Sequence, residues 1–211
     1  MIIRQTTKEV LAASIMELAK TKSVDKISVK EIVKNCGLTA TTFYNHFQDK
    51  YQLLAWIYNR NIEELLADTK SSINWQAALI ACCTPLQENR AFYKNVLKNT
   101  AGQTSFRYQT NDYAIALWME YIRKREGWQE VPDEISFYFR FYMRALSEAI
   151  NDWFLGGEKM PVEELAARID AAMPEPLKPY LRKRRFPCVW FLLQSGRQNV
   201  RTQIVYKTKK S

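Results

Sequence analysis

At 211 residues the chain falls between one large domain and two small ones. Its 47% apolar and 25% charged residues exclude disorder over most of the length, and 6 Gly with 7 Pro are too few turn-makers for an all-β sandwich or barrel. The net charge of +9 comes wholly from residues 174–211, where 10 basic side chains face only Glu175. Residues 1–173 balance at 21 of each sign, so overall basicity is no argument that the body binds nucleic acid.

Within the balanced part, residues 1–50 carry 8 basic and 5 acidic side chains, and residues 51–173 carry 13 and 16, a mildly basic head on a mildly acidic body. No secretory signal is expected at the start, where Met1 to Thr6 turns polar and then amphipathic. No uncharged apolar run reaches the roughly 18 residues of a membrane span. The scattered Cys36, Cys82, Cys83 and Cys188 are expected as free thiols of a cytoplasmic protein.

The first helix is expected over residues 6–22, opened by the capping-box spacing Thr6-Thr7-Lys8-Glu9 and carrying Leu11, Ile15 and Leu18 on one face. A second box, Ser28-Val29-Lys30-Glu31, opens a short helix with Val29, Ile32 and Val33 inward. Gly37 sits where a left-handed residue would end it, with Leu38 as the apolar contact beyond. Thr39 is the N-cap of a third helix holding Phe43 and Phe47, both assigned to the core, and Asp49 caps a fourth that carries Leu53, Leu54, Ile57, Ile62 and Leu65. Two short helices joined by a Gly-containing turn are a helix-turn-helix, whose second helix offers its first turn to a DNA major groove.

Further helices are expected at about 74–87, 89–99, 105–126, 133–156 and 161–173, punctuated by Gly102, Gly127, Pro132, Gly156, Gly157 and Pro161. The 133–156 segment is apolar on nearly every side, so one of its faces is expected to meet another subunit. From Pro174 the chain changes to a basic tail through Arg182-Lys183-Arg184-Arg185, with no expected structure.

The run Ile27 to Thr39, followed by Thr42-Phe43-Tyr44-Asn45-His46-Phe47-Gln48-Asp49-Lys50 and Leu53-Leu54, resembles the N-terminal domain of TetR-family transcriptional regulators from about residue 4 to 64. Tyr51, Trp56-Ile57, Glu88 to Lys94, and Thr100 with Gly102-Gln103 and Ser105-Phe106 are similar to one branch of that family, the regulators of dihydroxyacetone kinase operons. Cys36 departs from the family's usual Ala, and the segment after about residue 173 matches nothing expected of it.

The resemblance implies that Tyr44, His46 and Lys50 contact the DNA backbone, with Asn45 between the first two. Thr39, Ala40, Thr41 and Thr42 open the helix that would face base edges. They offer hydroxyls and thymine-methyl contacts but no bidentate readout of guanine or adenine. Thr39 either caps this helix, touches DNA, or does both. Ser28 and Lys30 lie at a helix start that favours phosphate, or form only a solvated capping box.

The resemblance further implies a small-molecule pocket in the body, for which Trp75, Tyr93, Trp118, Tyr121, Tyr138, Tyr142 and Arg144 are the candidates, with Phe92 beside them. Arg140 and Arg144 would, if buried, need an anionic ligand or a carboxylate such as Glu120 or Glu148. No catalytic residue, metal or cofactor is expected: the lone His46 falls inside the DNA-reading motif, and neither zinc-ligand spacing nor a Gly-rich phosphate loop is present.

The expected protein is therefore all-α, with a three-helix helix-turn-helix domain over residues 1–50 and a linking helix to about 66. A larger helical effector-binding and dimerisation bundle spans 51–173, and a basic tail spans 174–211. Its expected function is that of a homodimeric regulator, a repressor by default, on a palindromic double-stranded operator, with affinity set by an unknown small molecule. Two alternatives stand beside it: a co-regulator acting through a partner protein with weak DNA binding of its own, and a nonspecific nucleic-acid or membrane-surface binder driven by the tail.

Overall fold

In a computed structural model, residues 6–66, 74–102 and 106–182 are described. The tail from residue 183, with Cys188, lies outside them, as do Gln103, Ser105 and the side chains of Ile62 and Leu65. Ten α-helices and no strand occur among the described residues: α1 (Thr7–Leu18), α2 (Val29–Asn35), α3 (Ala40–Tyr44), α4 (Lys50–Leu66), α5 (Trp75–Glu88), α6 (Arg90–Lys98), α7 (Phe106–Glu126), α8 (Asp133–Leu155), α9 (Val162–Ala171) and α10 (Lys178–Leu181). The all-α expectation holds, and no helix among the described residues is long and apolar enough to cross a membrane.

Seven and five residues are too few for α2 and α3 to persist alone, since isolated helices need about 12–15. Caps and packing hold them instead. Thr6 and Ser28 each form a complete capping box with Glu9 and Glu31, and Asp49 accepts the Gln52 N–H at 2.8 Å to open α4. Leu11 and Ile15 of α1, Ile32 of α2, Phe43 of α3 and Leu53, Leu54 and Ile57 of α4 are all at most 1% exposed and form one core. Each such side chain contributes roughly 1.5–3 kcal/mol of burial. Ser14 fastens α1 to α2 by donating to the Ile32 carbonyl at 2.7 Å, and Asn35 donates back to Ser14 Oγ at 3.2 Å.

Two helices are shorter than expected. α1 stops at Leu18 because the carbonyls of Ala19 and Lys22 are taken by a side chain from α6. α3 stops at Tyr44, where the His46 N–H bonds back to the Phe43 carbonyl at 2.9 Å and tightens the last turn. Phe47 thus lies beyond α3 but is still core, 3% exposed.

The body packs α5 on α9, α7 on α8, and α4 against both α5 and α7. Residues Pro174 to Arg182, expected as the start of a tail, are instead part of this body. Leu177 and Leu181 are fully buried, Tyr180 packs edge-on against Trp128 with its carbonyl held by Arg125, and Arg182 grips the buried Asp170 at 2.8 Å. Arg182 there is spent on an ion pair with a buried carboxylate, which composition alone does not reveal.

Gly37, at φ +69°, completes the end of α2: its own N–H bonds the Lys34 carbonyl, and the Leu38 N–H bonds the Val33 carbonyl at 2.9 Å. Gly37→Ala meets no steric obstacle in space but forces a β-carbon into the left-handed region, costing about 1–2 kcal/mol. Thermal denaturation should show a loss of roughly 2–4 °C per kcal/mol with helicity unchanged. An unaltered midpoint would contradict this role.

Candidate nucleic-acid interface and effector cavity

The helix-turn-helix turns α3 so that Phe43 alone is buried while Thr39, Ala40, Thr41, Tyr44 and Asn45 face solvent. Tyr44 is 58% exposed, unusually open for a large aromatic side chain, and its ring meets the inward Phe43 edge-on at 5.5 Å. Thr42 and His46 are half-buried at the rim. Thr39 does cap the helix: its hydroxyl accepts the Thr42 N–H at 3.1 Å and lies 2.9 Å from the Thr42 hydroxyl.

Ser28 and Lys30 are exposed at the start of α2, but the Ser28 hydroxyl is already engaged with Glu31 at 2.8 Å. Hydrogen bonds from the Lys22 ammonium, then from the Ser28 N–H and hydroxyl, hold the Glu31 carboxyl down to about 2.

Lys50 takes a different position from a simple surface cation. Its ammonium donates to the carbonyls of Asp25 at 2.6 Å and Ile27 at 2.7 Å, and desolvation lowers its pKa. From the other side, the Asn95 carboxamide on α6 accepts the Val24 N–H at 3.1 Å and donates to the carbonyls of Ala19 at 2.9 Å and Lys22 at 2.8 Å. The loop between α1 and α2 is therefore clamped by Lys50 at the start of α4 and, from the body, by Asn95 of α6. Sequence reading passed over Asn95, which looks like any polar residue on an amphipathic helix.

In the body, α4, α5, α7 and α8 line a partly open cavity of about 100 Å³. Of the seven expected ligand residues, the structure brings two to its wall, Trp75 and Trp118, in edge-on contact at 5.4 Å. Tyr142 stands behind Trp75, accepting its indole N–H at 3.0 Å and donating to the Ile169 carbonyl at 2.9 Å, and burial pushes its phenol up to about 12. Tyr93 is fully buried among Tyr58, Phe92 and Phe106, Tyr121 packs on the far side of Trp118, and Tyr138 lies against Phe137. None of these four lines the cavity.

Arg144 is also elsewhere, on the solvent face of α8, 3.9 Å from Asp112. Arg140 is exposed beside Ser136. The expected carboxylates are otherwise occupied, Glu148 with Arg107 and Glu120 with Arg123 and Lys124. The wall residues missed by the sequence reading include Asn59, Asn111, Ser147 and Asn151. A signal for the last two was present: they stand four residues apart among Met143, Leu146 and Ile150, polar positions interrupting an otherwise buried face.

Replacing Asn95 by Leu strands the Val24 N–H and two carbonyls, and should cost about 1–3 kcal/mol in urea unfolding; an unchanged midpoint would contradict the clamp. Glu31 gives a pH test. Its folded pKa is depressed below the ordinary 4.5, so the capping box contributes above that value and is lost as pH falls toward about 2. A carbon-detected titration should place the Glu31 midpoint near 2, and a midpoint at the ordinary value would show the carboxyl to be unheld.

A model of the tetR family of bacterial regulatory proteins matches residues 11–57, and a model of a transcriptional regulator C-terminal region matches residues 73–174. The HTH-type dhaKLM operon transcriptional activator DhaS of Lactococcus lactis is 31% identical over 90 residues, covering 43% of this chain and 48% of that protein. The matched part thus spans about half the length of this curated relative. A solved structure of the dihydroxyacetone kinase operon activator DhaS aligns at 22% identity and TM-score 0.51, covering 83% of this chain and 98% of that one. A TetR transcriptional regulator from Rhodococcus sp. RHA1 aligns at 17% and 0.57, covering 83% and 99%. Both structures share the fold, a helix-turn-helix head on a larger helical body. With the two family models spanning the head and the body in turn, the chain belongs to the TetR family of transcriptional regulators and resembles its DhaS branch.

Proposed function

We propose that this regulator is a cytoplasmic homodimer that reads a palindromic operator with α3, under control of a small molecule bound in the cavity of the body. The division of labour falls at the start of α4: the head through residue 50 binds DNA, and the body from 51, extended to the packed residue 182, senses and dimerises. The observation that carries this reading is the solvent face of α3, where Thr39, Ala40, Thr41, Tyr44 and Asn45 stand exposed over a single buried anchor, Phe43.

Thr39 to Thr42 face base edges through methyls and hydroxyls, so specificity leans on thymine methyls and groove shape. Tyr44 and His46 fix the register on phosphates, supported by Ser28 and Lys30 at the start of α2. Lys50 keeps one N–H beyond the two that hold the loop, the third donor of its ammonium.

Dimerisation is assigned to α8 and α9. Phe137 and Phe141 on α8 stack on each other and are 65% and 62% exposed, an apolar pair left uncovered among the described residues. Coupling runs through α4, which contributes Tyr58 and Asn59 to the cavity and Lys50 to the loop clamp. A ligand that favours one placement of α4 shifts the separation of the two heads, and changes operator affinity only by its differential affinity for the two placements. Repression follows where the operator overlaps a promoter. Activation is the second reading, favoured by the similarity to the dhaKLM operon activator DhaS of Lactococcus lactis.

Fluorescence anisotropy of the full chain on DNA from upstream of its own gene, with excess competitor, tests the reading. Tyr44→Ala and His46→Ala should each weaken binding by about five- to tenfold. Lys30→Ala should reduce the salt slope by about one. Binding that ignores all three changes and does not distinguish this DNA from competitor would transfer the activity to the tail. In sedimentation, Phe141→Glu should shift the protein toward monomer; an unchanged species would place the dimer elsewhere.

A further inference from the structure

We propose that the cavity takes a small uncharged ligand that combines an apolar body with two or more hydroxyl or carbonyl groups. This rests on the effector-control reading and narrows it to a chemical class. The cavity is walled mainly by rings and aliphatic groups, among them Trp75, Leu79, Phe106, Trp118 and Ile150. Into the same space come three carboxamides and a hydroxyl: Asn59 from α4, Asn111 from α7, and Ser147 and Asn151 from α8.

Asn151 is only 7% exposed, and among the described residues its carboxamide has no hydrogen-bond partner; neither have Asn59, Asn111 or Ser147. The other polar wall groups of known bonding are spent. Trp75 donates to Tyr142, Thr110 to the Phe106 carbonyl, and Tyr58 to the Cys82 carbonyl. The buried Asn151 and the half-buried Asn59, Asn111 and Ser147 thus turn three carboxamides and one hydroxyl to one largely apolar cavity, the hydrogen-bonding complement of a ligand.

The ligand's charge follows from what is missing. Among the described residues no Lys, Arg, Asp, Glu or His lines the cavity, and burial keeps the Cys82 thiol up at about 12 and the Tyr58 phenol well above its usual range, so neither supplies charge. A carboxylate, phosphate or ammonium would be desolvated there without a counter-charge. A hydroxyl, by contrast, both donates and accepts, and each carboxamide answers it with two donors and a carbonyl. Size is limited too: a partly open cavity of about 100 Å³ is on the scale of a single small ring or a short chain. The anionic ligand considered from Arg140 and Arg144 finds no support in this wall.

The test uses the full chain and three probes that differ in one property each: resorcinol, toluene and benzoate, followed by thermal denaturation and tryptophan fluorescence. Resorcinol should bind saturably and more tightly than toluene, and benzoate should not bind. Asn151→Leu should weaken resorcinol about tenfold and reverse its order with toluene. Ser147→Ala reads the same face should the first variant fail to fold. Benzoate binding as well as resorcinol would overturn the proposal, as would resorcinol affinity unchanged in the folded variants. The same holds if resorcinol, 1,3-cyclohexanediol and glycerol all fail to bind, which would leave a water-filled polar void. None of these readouts needs DNA. A probe that binds but leaves operator affinity unchanged contradicts effector control and leaves the ligand class standing.

Discussion

The loop between α1 and α2 is the constraint on which the rest of the molecule depends. It carries backbone donors and acceptors that neither helix can satisfy, and unpaired groups of that kind are costly when water is excluded. Lys50 and Asn95 satisfy them from two directions, one at the start of α4 and the other on α6. Through Asn95 the head is thus fastened to the body by directional polar bonds as well as through its share of the apolar core. An apolar contact tolerates sliding; a carboxamide that meets one N–H and two carbonyls does not. In the proposed coupling, a shift of α4 or α6 reaches α2, and through the Gly37 turn the exposed face of α3.

That arrangement explains why the two functional regions are built so differently. The face of α3 proposed to read DNA is short, exposed and held by a cap, because α3 has five residues and one buried anchor. The cavity lies between helices, is largely apolar and is bordered by the helix that also begins the clamp. α8 divides its surface between these demands. Phe139, Met143 and Leu146 enter the core, Ser147 and Asn151 turn to the cavity, and Phe137 and Phe141 stay uncovered.

Much of the head was legible in the sequence because its signals are local. A capping box, a glycine at the left-handed position and an apolar residue beyond it are each set within a few residues, and Ser28, Gly37 and Phe43 do what their spacing indicates. The body was legible as helices but not as a site. Aromatic residues signal burial without saying which side they face, so Trp75 and Trp118 reached the cavity while Tyr93, Tyr121, Tyr138 and Tyr142 did not. Asn95 and Lys50 were opaque for another reason. Their partners lie 71 and 25 residues away, and no period along the chain encodes such a meeting. Basic composition also concealed the packed segment Pro174 to Arg182, whose Leu177 and Leu181 are core.

The most direct test of this account is the operator affinity of Asn95→Leu, measured in the full chain at a temperature where the variant remains folded. Asn95 lies on α6, outside the exposed face of α3, so only a transmitted effect can change binding. If the clamp sets the pose of the reading helix, affinity should fall by about fivefold or more. An affinity equal to that of the unaltered chain would show that the head reads DNA independently of its fastening, and would remove the proposed route from cavity to operator.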